Sequence, residues 1–196
     1  MEVISHRPFG PTVYQSKCPD DILLGLEEYV ECTEDIWFPN LLSRDIPNVY
    51  LTKDKCEKLG LKKILEGLGN HYLNNETDLY SRSIERVTLN VFDDQHYDCW
   101  INRYFKGDLT PIHHHDAVLS GIIFLRVPDQ IKQQSPNKMN GRVQFVYGED
   151  NMFCPNLWTP EQEDGMILIF PSWLNHLVYS QTTVEERRTL SFNLSK

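Results

Sequence analysis

Trp100-Ile101-Asn102-Arg103-Tyr104-Phe105-Lys106-Gly107-Asp108-Leu109-Thr110-Pro111-Ile112-His113-His114-His115-Asp116-Ala117-Val118-Leu119-Ser120-Gly121 is the stretch around which this chain is organised. An alternating aromatic run enters a Gly-Asp turn, emerges into three consecutive histidines and an aspartate, and passes at once into the apolar run Ile122-Ile123-Phe124-Leu125. Such surroundings predict a strand, and on a strand the side chains at i and i+2 share a face. Two imidazoles (His113 and His115), or an imidazole and a carboxylate (His114 and Asp116), can then aim at one point. That is metal-ligand spacing. Taken alone, the tetrad fits a histidine-rich turn in solvent equally well.

On either side of it the pattern is that of a β protein. Arg86-Val87-Thr88-Leu89-Asn90-Val91 and Cys99 to Phe105 alternate, with Asp93-Asp94-Gln95-His96 as the turn between them. Further strands are expected over Leu119–Arg126, Gly141–Tyr147, Gly165–Phe170, Leu177–Ser180 and Arg187–Leu194. Many short strands split by Gly and Pro turns predict a sandwich or barrel. Upstream the period is helical. Pro19-Asp20-Asp21 reads as a helix start for the stripe Ile22, Leu23, Leu26, Tyr29, Val30. Thr52-Lys53-Asp54 opens a second helix carrying Leu61, Ile64, Leu65, Leu68 and Tyr72. Phe9 to Tyr14 reads as a short edge segment. The expected organisation is one domain over residues 1–196, with helical support over about 1–84 and strands over about 85–196.

Composition narrows the classes. With 19 basic and 28 acidic side chains the net charge is −9, which repels phosphate backbones and disfavours a nucleic-acid polymer as partner. Apolar runs such as Met166-Ile167-Leu168-Ile169-Phe170 are far shorter than the roughly 20 residues of a membrane helix, so no membrane span is expected. The first residues show no export signal. The five cysteines are odd in number and scattered without a Cys-x-x-Cys pair, which favours reduced thiols in a cytoplasm-like compartment. A cytoplasmic location is expected, a host cell's if the chain is virus-encoded.

A second chemical stretch lies near the end. Asp164-Gly165-Met166-Ile167-Leu168-Ile169-Phe170-Pro171-Ser172-Trp173-Leu174-Asn175-His176 places one histidine after an apolar strand and a Pro-Ser turn. In the last strand Arg188, Leu190, Phe192 and Leu194 share one face, and Arg187, Thr189, Ser191 and Asn193 the other. A polar row of this kind suits the carboxylate of a ligand, with the Arg187 fork pairing bidentately and the Thr189 hydroxyl adding a bond. Arg188, on the opposite face, is expected to be nearly silent in that binding.

Together these residues resemble the iron(II)/2-oxoglutarate-dependent oxygenases, most closely a small family found in phages and bacteria. The matching residues are Trp100-x-Asn102, Gly107-Asp108, His113-x-His115, Ser120-Gly121, Phe170-Pro171-Ser172 with His176, and Glu186-Arg187-x-Thr189-x-Ser191-Phe192-Asn193. The resemblance covers roughly residues 98–194. It implies a mainly β fold with N-terminal helices, a double-stranded β-helix (cupin-like jelly roll) braced by α-helices. It implies iron(II) held by His113, His115 and His176, with 2-oxoglutarate and dioxygen as co-substrates and a hydroxylated product released with succinate and CO2. Arg187 and Thr189 would anchor 2-oxoglutarate, and Asn102 and Tyr104 would line the same pocket.

The register of the tetrad stays open. Counting forward from Trp100 and Gly107 puts the family's His-x-His on His113 and His115, while counting back from Ser120-Gly121 requires one residue to be missing from the following loop. The alternative register, His114 with Asp116, supplies the His-x-Asp of the commoner two-histidine, one-carboxylate triad. A three-histidine cupin-type dioxygenase that does not use 2-oxoglutarate, and a non-catalytic jelly-roll binding protein, are the competing classes. The primary substrate is unidentified at this level, with loop 127–140, Asn151 to Trp158 and the N-terminal elements as expected selectors.

Overall fold

The computed structural model describes residues 1–8, 10–32, 38–39, 47–76, 86–135, 138–153 and 155–196. Phe9 of the expected edge segment, Cys154, Pro136 and Asn137 of the selector loop, and 77–84 of the helical stretch lie outside the described residues. In chain order the elements are β1 (Ile4–His6), β2 (Val13–Lys17), α1 (Asp20–Cys32), β3 (Phe38–Pro39), β4 (Pro47–Thr52), α2 (Lys53–Lys58), α3 (Leu61–Glu76), β5 (Thr88–Leu89), β6 (His96–Tyr104), β7 (Thr110–His113), β8 (Leu119–Arg126), α4 (Asp129–Lys132), β9 (Val143–Val146), β10 (Leu157–Trp158), β11 (Met166–Pro171), β12 (Asn175–Val178) and β13 (Arg187–Ser195).

The strands form two antiparallel sheets. The larger runs β1-β2-β11-β8-β13-β6-β4-β3, with β5 also paired to β13, and the smaller runs β10-β9-β12-β7. Period-2 alternation gives the larger sheet two apolar faces. On one face Cys99, Ile101, Ile167, Leu190, Phe192 and Leu194 meet Ile22 and Leu26 of α1 and Leu61 and Leu65 of α3. On the other, Val13, Ile122, Phe124, Leu168 and Phe170 meet Val143, Phe145 and Val178 of the smaller sheet. Two antiparallel sheets face to face, one braced by helices, constitute the expected double-stranded β-helix.

Two features depart from the sequence reading. The N-terminal stretch contributes strands as well as helices: β2 pairs with β11, and β4 pairs with β6. Their partners lie over 40 residues away, so local periodicity does not reveal them. The expected helix from Thr52 is two helices. Thr52 caps α2, its Oγ1 accepting the Lys55 N–H at 3.2 Å. Gly60, at φ +69°, then takes the left-handed backbone that ends α2 before α3 begins.

Arg188 has a structural role that alternation alone does not reveal. On the face opposite Arg187 it is fully buried, and its guanidinium pairs with Glu27, with Glu31 at 3.1 Å and with Glu186 at 2.9 Å. Arg103 also holds Glu186, at 2.6 Å. The cluster ties α1 to β13 and β6. No helix among the described residues is long and apolar enough to cross a membrane.

Candidate metal and co-substrate site

Strand pairing creates the histidine cluster. His176 on β12 lies directly opposite His113 at the end of β7, with the smaller sheet bringing the two rings to a centroid distance of 4.2 Å. β7 ends at His113, so His115 is placed by other means than strand alternation. Its backbone N–H donates to the Ser172 carbonyl at 2.9 Å, and the Ser172 hydroxyl in turn donates to the Ala117 carbonyl. The Phe-Pro-Ser turn therefore clamps the histidine loop. His115 then lies 5.1 Å from His113 and 5.3 Å from His176, ring to ring.

The ligand atoms of His113, His115 and His176 all lie within 4.8 Å of one another. Among the described residues this is the only such group of three, and His114 and Asp116, both exposed, are outside it. The Nδ1 atoms of His113 and His176 are 2.8 and 3.0 Å from the Pro111 and Leu174 carbonyls. A carbonyl only accepts, so these contacts place the proton on Nδ1 and leave Nε2 as the free lone pair, the usual way a histidine ligand is oriented. Burial pushes all three imidazoles down. His115 falls to about 4, with His113 and His114 adding to burial, and His176 lies well below the usual range, with His113 and His115 adding to it. His113 is lowered by burial against the opposing Pro111 carbonyl. Three neutral imidazoles with converging lone pairs fit a divalent transition metal.

The same cavity continues across the larger sheet. Its volume is about 50 Å³, and its walls include the three histidines, Trp100, Asn102, Tyr104, Arg187, Thr189 and Ser191. Antiparallel pairing sets Arg187 opposite Tyr104, Thr189 opposite Asn102 and Ser191 opposite Trp100. Asn102 Nδ2 donates to Ser191 Oγ at 3.2 Å, and the Tyr104 hydroxyl pairs with Thr110 Oγ1 at 2.8 Å.

Arg187 is fully buried, with no carboxylate partner among the described residues, and its Nε and Nη1 have no hydrogen-bond partner there. Burial lowers it to about 10, still a cation at neutral pH. Orphaned guanidinium donors beside a trio of neutral imidazoles are what a metal-bound dicarboxylate needs.

Every metal-ligand and co-substrate candidate read from the sequence therefore reaches one cavity, apart from the alternative pair His114 and Asp116, while no described residue of the expected selectors in 127–140 and 151–158 is among its walls. Three contributors went unread. Thr110 fixes Tyr104, Ser172 fixes His115, and Gln162 accepts from Arg187 Nη2 at 3.3 Å. Ser172 had a signal in the Phe-Pro-Ser motif. Gln162 had none.

Comparison with known proteins agrees with this geometry. Residues 98–193 match the family model described as "Putative 2OG-Fe(II) oxygenase". No curated protein matches the chain by sequence. Among solved structures, a Pseudomonas putida prolyl-4-hydroxylase superposes with a TM-score of 0.60 at 14% identity, over 92% of this chain and 91% of that one. A Trichoplax adhaerens prolyl hydroxylase, solved with a hypoxia inducible factor peptide fragment, gives 0.59 at 12% identity, over 98% and 82%. HygX from Streptomyces hygroscopicus, solved with nickel and 2-oxoglutarate, gives 0.55 at 12% identity, over 96% and 83%. At these identities the structural likeness establishes the fold, and the family model bears on residues 98–193. That part of the chain matches the iron(II)/2-oxoglutarate-dependent oxygenases, a family of oxidoreductases that use iron(II), 2-oxoglutarate and dioxygen.

Proposed function

We propose that the chain works as one oxygenase domain over residues 1–196, with His113, His115 and His176 holding iron(II) and Arg187 and Thr189 holding the distal carboxylate of 2-oxoglutarate. The observation that carries this reading is the single cavity shared by the three converging imidazoles and the unneutralised Arg187. Iron(II) bound there supplies dioxygen activation, in which 2-oxoglutarate loses CO2 to become succinate and one oxygen atom is inserted into a C–H bond of the primary substrate.

The protein's own part is binding, orientation and exclusion of water. The imidazoles are held neutral by burial and aimed by the Pro111 and Leu174 carbonyls, so the metal is met by lone pairs without first displacing protons. They bring no negative charge, and Arg187 adds a positive one, so the field of the cavity favours a dianionic co-substrate. Phe145 and Phe170, with ring centroids 5.9 and 5.1 Å from that of His176, keep that side of the centre dry.

The primary substrate is proposed to be a small molecule or a side chain of a larger partner. An aromatic row leads from the surface to the centre: Phe92 stacks on Tyr50 at 3.9 Å, Tyr50 lies 6.1 Å from Trp100, and Trp100 lies 5.7 Å from His115. Such a row suits the apolar body of a substrate whose C–H bond is presented to the histidines.

The test is dioxygen-dependent succinate release. Protein supplied with iron(II), 2-oxoglutarate and air is expected to form succinate slowly without a primary substrate and faster with one found by metabolite screening. Oxygen consumption that ignores 2-oxoglutarate would point instead to the three-histidine dioxygenase class.

A further inference from the structure

We propose that Gln162 is a positioning residue for 2-oxoglutarate, its neutral side-chain carbonyl holding the Arg187 guanidinium in place without cancelling its charge. This rests on the reading of Arg187 as the anchor of the distal carboxylate.

The Arg187 guanidinium lies over two aromatic rings, with Cζ 4.9 Å from the Tyr104 centroid and 5.5 Å from that of Phe124. Rings set the plane of a guanidinium but leave it free to slide and rotate within that plane. Gln162 Oε1, 3.3 Å from Nη2, is a polar tether against such motion. A guanidinium carries donors only, so only the carbonyl end of the amide can face it. Gln162 is itself 3% exposed, and it lines a second hollow with His6, Lys132, Trp158 and Met166 rather than the histidine cavity. It therefore stands behind the arginine, and acts on the co-substrate through it.

The residue type matters because of its neighbours. The local sequence is Glu161-Gln162-Glu163, and both glutamates are exposed while the one buried position carries the uncharged isostere. A carboxylate at 162 would form a closed ion pair with Arg187, and an incoming carboxylate would have to compete with a partner already in place. An amide accepts one hydrogen bond and leaves the charge, with the Nε and Nη1 donors, for the ligand.

The experiment compares two ligands, 2-oxoglutarate and 2-oxopentanoate, which has the same carbon chain without the distal carboxylate. Dissociation constants are measured by calorimetry on full-length, nickel(II)-loaded protein, so turnover plays no part. Gln162→Glu should weaken 2-oxoglutarate by roughly 50-fold, the scale for a lost charge-assisted pair, and leave 2-oxopentanoate within about threefold. Gln162→Leu, which serves if the glutamate variant does not fold, should weaken 2-oxoglutarate by roughly 5- to 10-fold with the same selectivity. It should also raise KM for 2-oxoglutarate with little change in kcat. Glu161→Gln is the exposed control and should change neither ligand. Unchanged 2-oxoglutarate affinity in the Gln162 variants, or equal losses for both ligands, overturns the proposal. Arg187→Ala in the same assay separates the two levels. If it too binds normally, the anchor assignment fails and takes this one with it; if it alone is impaired, only the role of Gln162 fails.

Discussion

Arg187 and Arg188 are adjacent in sequence, of one residue type and both fully buried, yet the structure assigns them opposite physics. The informative perturbation is Met at each position, which retains most of the side-chain volume and removes the charge. At 188 three carboxylates each lose one cationic partner, while Arg126 still reaches Glu27 at 2.9 Å and Arg103 still holds Glu186 at 2.6 Å; the Glu27, Glu186 and Glu31 side chains are 20%, 11% and 64% exposed. Burial alone would raise Glu186, yet Arg103 and Arg188 hold its carboxyl below the ordinary range, so the pairing outweighs desolvation. Removing one partner of a buried pair costs about 3–5 kcal/mol, and the exposure of Glu31 argues for the lower end. At 2–4 °C per kcal/mol for a chain of this size, about 3 kcal/mol lowers Tm by about 6–12 °C. At 187 no ion pair among the described residues is lost, so Arg187→Met should leave Tm within about 3 °C. Its 2-oxoglutarate affinity should instead fall by about 2 kcal/mol or more, roughly 30-fold, whereas Arg188→Met should change it less than threefold. Thermal denaturation by circular dichroism and calorimetric titration of nickel-loaded protein give the two readouts. Equal Tm losses, or equal losses of 2-oxoglutarate binding, would refute the assignment of one arginine to the ligand and the other to the scaffold.

Thr189→Val keeps the shape and removes the hydroxyl, so 2-oxoglutarate affinity should drop by about 1 kcal/mol with Tm unchanged; a larger loss of stability would give Thr189 a structural role instead. In Gly121→Ala the new Cβ would lie 2.1 Å from Phe192 Cζ and 2.6 Å from the Leu168 carbonyl oxygen, and because backbone cannot yield cheaply the variant should lose about 2 kcal/mol or more in urea denaturation. The metal-free protein should be less stable at pH 5 than at pH 7. His115 titrates at about 4 when folded against an ordinary value of about 6.5, so the unfolded chain takes up a proton first, and stability present above about 6.5 is lost as the pH falls toward 4. His115→Gln should flatten that slope by about 1.4 kcal/mol per pH unit, and an unchanged slope would show that this imidazole is not held neutral by its surroundings.

The strands and the polar row of β13 were legible because both follow the period of 2, which survives whenever one face of a strand differs from the other. Leu119–Arg126 was delimited without error, and Arg187 and Thr189 were separated from Arg188 by alternation alone. The helix α1 was legible despite Gly25, whose place is explained by Leu59: a Cβ there would come within 2.4 Å of its Cδ2. β4 was not legible, since its pairing with β6 is a tertiary fact and Pro47-Asn48-Val49-Tyr50 carries little pattern of its own. The convergence of His115 could be anticipated only by treating the tetrad as continuous strand, whereas the loop backbone and the Ser172 carbonyl do that work. The burial and ion pairs of Arg188 were missed because sequence shows which face a side chain takes but not which carboxylates a distant helix will bring to it. Gln162 was missed for the same reason, being placed by its contact with a strand 25 residues on.

The central claim is a three-histidine iron centre, and anaerobic iron(II) binding to six proteins tests it directly: the native chain and single alanine variants at His113, His114, His115, Asp116 and His176. The structure predicts one tightly held iron per native chain, its loss in the 113, 115 and 176 variants, and retention in the 114 and 116 variants. Retention at 113 and 115 with loss at 114 and 116 would contradict the account and restore the triad of two histidines and Asp116.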